Sequence, residues 1–166
     1  VTSGDAYGIY VSGKYAYVAD GVSGLHIFDI SNPTTPTLVG TYNTSGTAYN
    51  VYVSGKYAYV ADGSAGLHVI NISTPSSPSL VGTYNTSDTS YDVQVSGKYA
   101  YVADSTSGLN VIDISTSASP TLVGIYDTSG YATGIYVSGK YAYVSDFGSG
   151  LQILDINGIE TPSLYA

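Results

Sequence analysis

Short apolar stretches of five or six residues alternate along the chain with breaks made of Gly, Pro, Asp, Asn and Ser. Tyr, Val and Ile fill the stretches, a composition that favours strands, and no segment carries the 3.6-residue spacing of an amphipathic helix. The pattern predicts an all-β chain. In Leu25-His-Ile-Phe-Asp-Ile30, Leu25 and Ile27 point to one side and Phe28 and Ile30 to the other. Tyr15 and Tyr17 oppose Ala16 and Val18 in the same way. A sheet with one wet face would alternate apolar with polar, so these sheets are expected to be covered on both faces.

The pattern is periodic. Val-Ser-Gly-Lys-Tyr-Ala-Tyr-Val recurs unchanged at 11–18, 53–60, 95–102 and 137–144, a spacing of 42 residues. Asp20, Asp62, Asp104 and Asp146 keep the same register, as do Gly24-Leu25 and its three counterparts and Pro36, Pro78, Pro120 and Pro162. Each unit reads as four strands, typified by residues 49–53, 56–61, 67–72 and 80–84, and the units run approximately 1–42, 43–84, 85–126 and 127–166. Four-stranded units of this length, covered on both faces by their neighbours, are the blades of a β-propeller, here in one repeat domain over 1–166. The first strand of each is expected innermost and the fourth outermost.

Three arrangements satisfy the repeat: a closed four-bladed ring, half of an eight-bladed ring made by two chains, or part of a longer array or head-to-tail polymer. The chain enters just before an inner strand and leaves within a fourth strand, so a closing blade shared between the termini is not expected. It starts with Val1 rather than Met, as a processed or excised chain would.

Tyr-Val-Ala-Asp, then Gly-Leu-x-Ile-x-Asp-Ile-Ser, then Pro and Leu-Val-Gly-x-Tyr resemble the LVIVD-repeat β-propellers of bacterial and archaeal surface proteins. A looser similarity runs to YVTN-type surface propellers. The resemblance covers essentially the whole chain. It implies a propeller fold and a secreted or cell-surface location. It implies no shared reaction and no catalytic residues.

Charge narrows the partners. Of 166 residues only 4 are cationic, all Lys, against 12 acidic ones, for a net charge of -8. Such a chain cannot neutralise a phosphate backbone, so nucleic acid is excluded as a partner, and anionic membranes are disfavoured. No run of 18 apolar residues predicts membrane insertion. Without Cys there is no disulfide framework, thiol nucleophile or cysteine zinc site. The low charge, the many Ser and Thr residues and the lack of oxidisable Cys and Met suit an extracellular or cell-surface setting.

Candidate chemistry is sparse. His26 and His68 occupy one repeat position that Asn110 and Gln152 take in the other units, so they read as polar strand residues. The four repeated aspartates precede Gly-containing turns and are expected to cap the amides of those turns. Asn71 stands where other units have Asp29, Asp113 and Asp155, so hydrogen bonding rather than charge is the common need there. Arg is absent, Glu160 is the one glutamate, and no G-x-S-x-G elbow supports a serine nucleophile. No enzyme, cofactor or metal site is expected.

Tyr49, Tyr91, Asp92 and Tyr131 lie where the units differ most, and Tyr beside small polar groups suits a glycan or peptide. Asn43 and Asn85 head Asn-x-Ser sequons in connecting loops and are candidate glycosylation sites. The expected function is a non-catalytic extracellular structural or interaction module in a surface or filamentous assembly, its partner itself or another surface protein. The alternative is a propeller that holds a glycan or peptide on its variable loop face.

Overall fold

A computed structural model describes residues 4–157 and, by backbone alone, 163–165. Pro162, Glu160 and the residues that open and close the chain, Val1 to Ser3 and Ala166, lie outside the described residues. Every regular element described is a strand. The first sheet holds β1 (Gly8–Ser12), β2 (Tyr15–Ala19), β3 (Leu25–Asp29) and β4 (Thr37–Tyr42). The second holds β5 (Asn50–Ser54), β6 (Tyr57–Ala61), β7 (Leu67–Asn71) and β8 (Ser79–Tyr84). The third is β9 (Asp92–Ser96), β10 (Tyr99–Ala103), β11 (Leu109–Asp113) and β12 (Thr121–Tyr126). The fourth is β13 (Tyr131–Ser138), β14 (Tyr141–Phe147), β15 (Gly150–Asp155) and β16 (Ser163–Tyr165).

Each sheet is an antiparallel meander in chain order, and each is one blade. In the first three blades strand ends agree with the repeat to within a residue, whereas β13 and β14 run two residues beyond it; Ile72, one past the end of β7, still donates its N–H to the Lys56 carbonyl at 2.9 Å. The inner strands β1, β5, β9 and β13 pack side by side in sequence. Tyr10, Tyr52, Gln94 and Tyr136 stand at one repeat position on them and border a hollow of about 250 Å3 between these strands.

Alternation with a period of two gives every blade two apolar faces. The leading face of the first blade, with Tyr17, Ala19, Leu25 and Ile27, packs on the trailing face of the second, with Val51, Val53, Ala58, Val60 and Ile70. Tyr59, Ala61, Leu67 and Val69 meet Val93, Val95, Ala100, Val102 and Ile112 in the same way, and the third blade repeats this against the fourth. A bulge in each of β4, β8 and β12 turns Val39, Val81 and Val123 into these clusters as well. The core is thus three copies of one blade-on-blade interface.

Two backbone features join the blades. Gly21, Gly63 and Ser105 hold positive φ values of 55°, 57° and 48°, which turns their amides outward. They exchange paired backbone hydrogen bonds with Ala48, Ser90 and Ala132 of the following blade. A small residue is needed there, since a bulky side chain at positive φ is costly. At Gly82 the next blade's loop comes so close that a Cβ would lie 2.4 Å from the Ser117 carbonyl oxygen.

Candidate interaction surfaces

Among the described residues the fourth blade-on-blade interface is missing. Ile9 and Val11 correspond in register to Val51 and Val53, yet they are 64% and 56% exposed. On the last blade Leu151 takes the place of the fully buried Leu25, Leu67 and Leu109, yet is 64% exposed. Tyr136 and Phe147 are also exposed. The trailing face of the first blade keeps just a small cluster of its own, Ala16, Val18 and Phe28 with Ile30 against it. The stack of blades therefore ends in two apolar faces of opposite kind.

The last blade differs locally. Phe147 stands where Gly21, Gly63 and Ser105 turn outward; it instead stays in β14 and pairs with Tyr131. The two rings are 6.5 Å apart. Beside them Thr133, Ser145, Asp146, Phe147, Gly150 and Leu151 line a hollow of about 330 Å3.

The repeated aspartates do not cap their own turns, as their spacing suggested. Asp20, Asp62 and Asp104 each reach back to the linker that enters their blade. Asp20 accepts the Gly4 N–H at 2.9 Å, and Asp62 accepts the Gly46 N–H at 2.7 Å and the Thr44 hydroxyl at 2.5 Å. Asp104 accepts from Asp88 N–H, Ser90 Oγ and Asn110 Nδ2. The turn is closed by backbone bonds instead, such as Ser23 N–H to the Asp20 carbonyl. In the last blade the Asp146 carboxylate and Thr128 hydroxyl are buried without a partner among the described residues.

The histidines belong to this unit. His26 Nδ1 lies 3.4 Å from Asp20 and His68 Nδ1 3.5 Å from Asp62, across the hairpin that joins the second and third strands. Burial holds His68 below its usual pKa and raises Asp62. Ser45 Oγ lies 3.4 Å from His68 Nε2, which completes a Ser–His–Asp line. At 3.5 Å His68 Nδ1 makes no hydrogen bond to Asp62, whose oxygens accept from Thr44 and Gly46, so the carboxylate anchors the linker rather than orienting the imidazole. The hairpin register, which opposes Val60 to His68 and Ala61 to Leu67, was the signal that could have joined Asp to His.

The residues singled out for ligand binding separate into three places. Tyr49 sits between Tyr7 and Tyr91 at centroid distances of 5.1 and 5.0 Å, its ring tilted 55° and 51° to theirs, so neighbouring rings flank it. Tyr131 corresponds to Thr89 rather than to the ladder and sits with Phe147 on the free face. Asp92 turns between the inner strands and accepts from Asn50 Nδ2, Val93 N–H and Ile135 N–H, linking three blades. Burial raises its pKa against those three bonds. Asn43 and Asn85 are exposed in equivalent linkers. Asn71 accepts from Ser73 as Asp29 does from Ser31 and Asp113 from Ser115, so the hydrogen bond is the shared element. Where Asp29 adds charge, Lys14 Nζ lies 2.8 Å away and, with Ser31, lowers the carboxyl to about 2.

Four consecutive four-stranded meanders, packed face to face around their first strands, define a β-propeller blade array. The profile of the LVIVD repeat matches residues 3–44, 45–86, 89–128 and 129–164, and the chain belongs to that family. No curated protein matches it in sequence. Among solved structures it is similar to the computationally designed Ika4 protein, with a TM-score of 0.78 at 8% identity over 93% of both chains. It also superposes on the computationally designed Ika8 protein, with a TM-score of 0.75 at 10% identity over 92% of this chain. The chain spans about half of Ika8, 46% of its length.

Proposed function

We propose that this protein is a non-catalytic structural and interaction module that works outside the cell, as a component of a surface or filamentous assembly. The observation that carries this reading is the pair of apolar blade faces left open at the two ends of the stack, where Ile9, Val11, Tyr136 and Leu151 are exposed. Isolated apolar residues on a surface are ordinary, whereas sheet faces of this kind mark places of association. The low charge and the absence of Cys and Met support the extracellular setting.

A second reading, a glycan- or peptide-binding propeller, draws on the exposed Tyr7 beside a hollow of about 250 Å3 with Asp5, Val22 and Thr47. Light scattering across a hundredfold concentration range tests the first reading, and thermal shift with oligosaccharides and peptides tests the second. Growth from the 17.2 kDa chain to multiples of it, without ligand, is the expected result. A constant single-chain mass with a ligand-induced rise in Tm would overturn it in favour of the second.

A further inference from the structure

The assembly reading leaves open what covers the two end faces. Resting on that reading, we propose that the leading face of the fourth blade receives the trailing face of the first blade of a second copy, front to back.

The three internal interfaces show what each face accepts. In all of them a Tyr and Leu of the leading blade, such as Tyr59 and Leu67, close over a pair of β-branched residues of the next blade, such as Val93 and Val95. Leu151 and Tyr143 repeat the first pair on the fourth blade; Ile9 and Val11 repeat the second on the first. The two ends therefore carry the two halves of an interface that the chain already builds three times. A like-to-like pairing would instead set Leu against Leu, a contact with no internal counterpart.

The local departures in the last blade fit a joint rather than a cap. Terminal repeats that cap an array carry a polar outer face. Here the outer face carries Tyr131, Tyr136, Phe147 and Leu151, all exposed. In the internal interfaces Ala48 and Val51 cover Ala19 and Leu25. Their counterparts one repeat earlier, Ala6 and Ile9, are exposed and match the hollow formed by Thr133, Ser145, Phe147 and Leu151. Asp146 borders that hollow, its carboxylate buried and without a donor among the described residues. Phe147 replaces the outward backbone bridge of Gly21 with an aromatic ring. The joint is thereby distinct from the internal interfaces.

Front-to-back contacts are heterologous: two copies either close a ring through two joints or continue as a filament, according to the rotation per chain. Both outcomes use the same joint. The test is complementation between Ile9→Asp, which spoils the trailing face, and Leu151→Asp, which spoils the leading face. Both side chains are mostly exposed in the single chain, so the circular dichroism of each variant should match the parent, and its melt, compared at a concentration where the chains are single, should shift by little.

By sedimentation velocity the parent is expected to assemble. Each variant alone should weaken association about 100-fold or more, the effect of a carboxylate placed in an apolar joint. An equimolar mixture of the two should recover a two-chain species and nothing larger, because one intact joint remains. Assembly of either variant alone at the parent's concentration overturns the front-to-back joint, as does a mixture that stays single-chain while the parent assembles. A parent that itself stays single-chain overturns the assembly reading along with it.

Discussion

Leu67 and Leu151 are the same residue at the same repeat position, separated by two blades, and they make the sharpest internal comparison. Leu67 is fully buried between the second and third blades, where Tyr59, Val69, Val93 and Val102 share its cluster. Truncation to Ala there removes buried apolar surface and leaves a cavity between two sheets, a change that costs about 2–5 kcal/mol. Leu151 is 64% exposed, so about a third of its surface is out of water. Scaling the roughly 1.5–3 kcal/mol value of a fully buried Leu by that third gives about 0.5–1 kcal/mol, with no cavity to add. Urea unfolding followed by circular dichroism, at a concentration where the chain is single, measures both. The expected result is a large loss for Leu67→Ala and a loss of about 1 kcal/mol or less for Leu151→Ala. Equal losses would rule out an open fourth blade, because they would show its face already covered within one chain by a closed ring.

Three further substitutions probe the joints between blades. Gly82→Ala places a Cβ 2.4 Å from the Ser117 carbonyl oxygen, so the blades must part; a loss of about 1–3 kcal/mol in urea unfolding is expected. Asp92→Ala strips the acceptor from Asn50, Val93 and Ile135 and should cost about 1–3 kcal/mol for each donor left buried, whereas Asp5→Ala at an exposed site should cost little on the same assay. His68 is held neutral by burial, so the unfolded chain takes up its proton first and stability falls as pH drops below 6.5. Asp62, raised by burial, opposes this as it takes up its proton, since its ionised form is the costly one and protonation restores stability. His68→Asn copies the Asn110–Asp104 bond of 2.8 Å and should flatten the fall below pH 6.5 in thermal melts taken across the acid range. Intact mass of protein from a glycosylating host tests Asn43 and Asn85, with a glycan on one or both as the expected outcome and the bare mass of 17.2 kDa against it.

Strands, blades and their order were legible because the information is local and repeated. Two-sided apolar alternation, as in Leu25 to Ile30, announces sheets buried on both faces, and a 42-residue period announces identical neighbours. The roles of individual polar residues were not legible, because they depend on register across a hairpin. Asp62 sits six residues before His68, yet its bonds go back to Thr44 and Gly46 in the linker, a contact that turn chemistry at Asp62 does not foretell. Tyr131 groups with Tyr49 and Tyr91 by residue type, whereas counting by 42 aligns Thr133 with them. Open ends were one of the arrangements the repeat allows, and nothing local chose among them. Ile9 and Leu151 stand at the repeat positions of the buried Val51 and Leu67, and they are exposed because no blade packs on them among the described residues.

If four blades form an open arc whose ends pair with other copies, the assembly should be visible. Electron microscopy of negatively stained, concentrated protein is then expected to show rings of eight blades, built from two chains, or filaments with a four-blade repeat. Uniform particles of a single chain, each a closed four-bladed ring, would contradict the open arc.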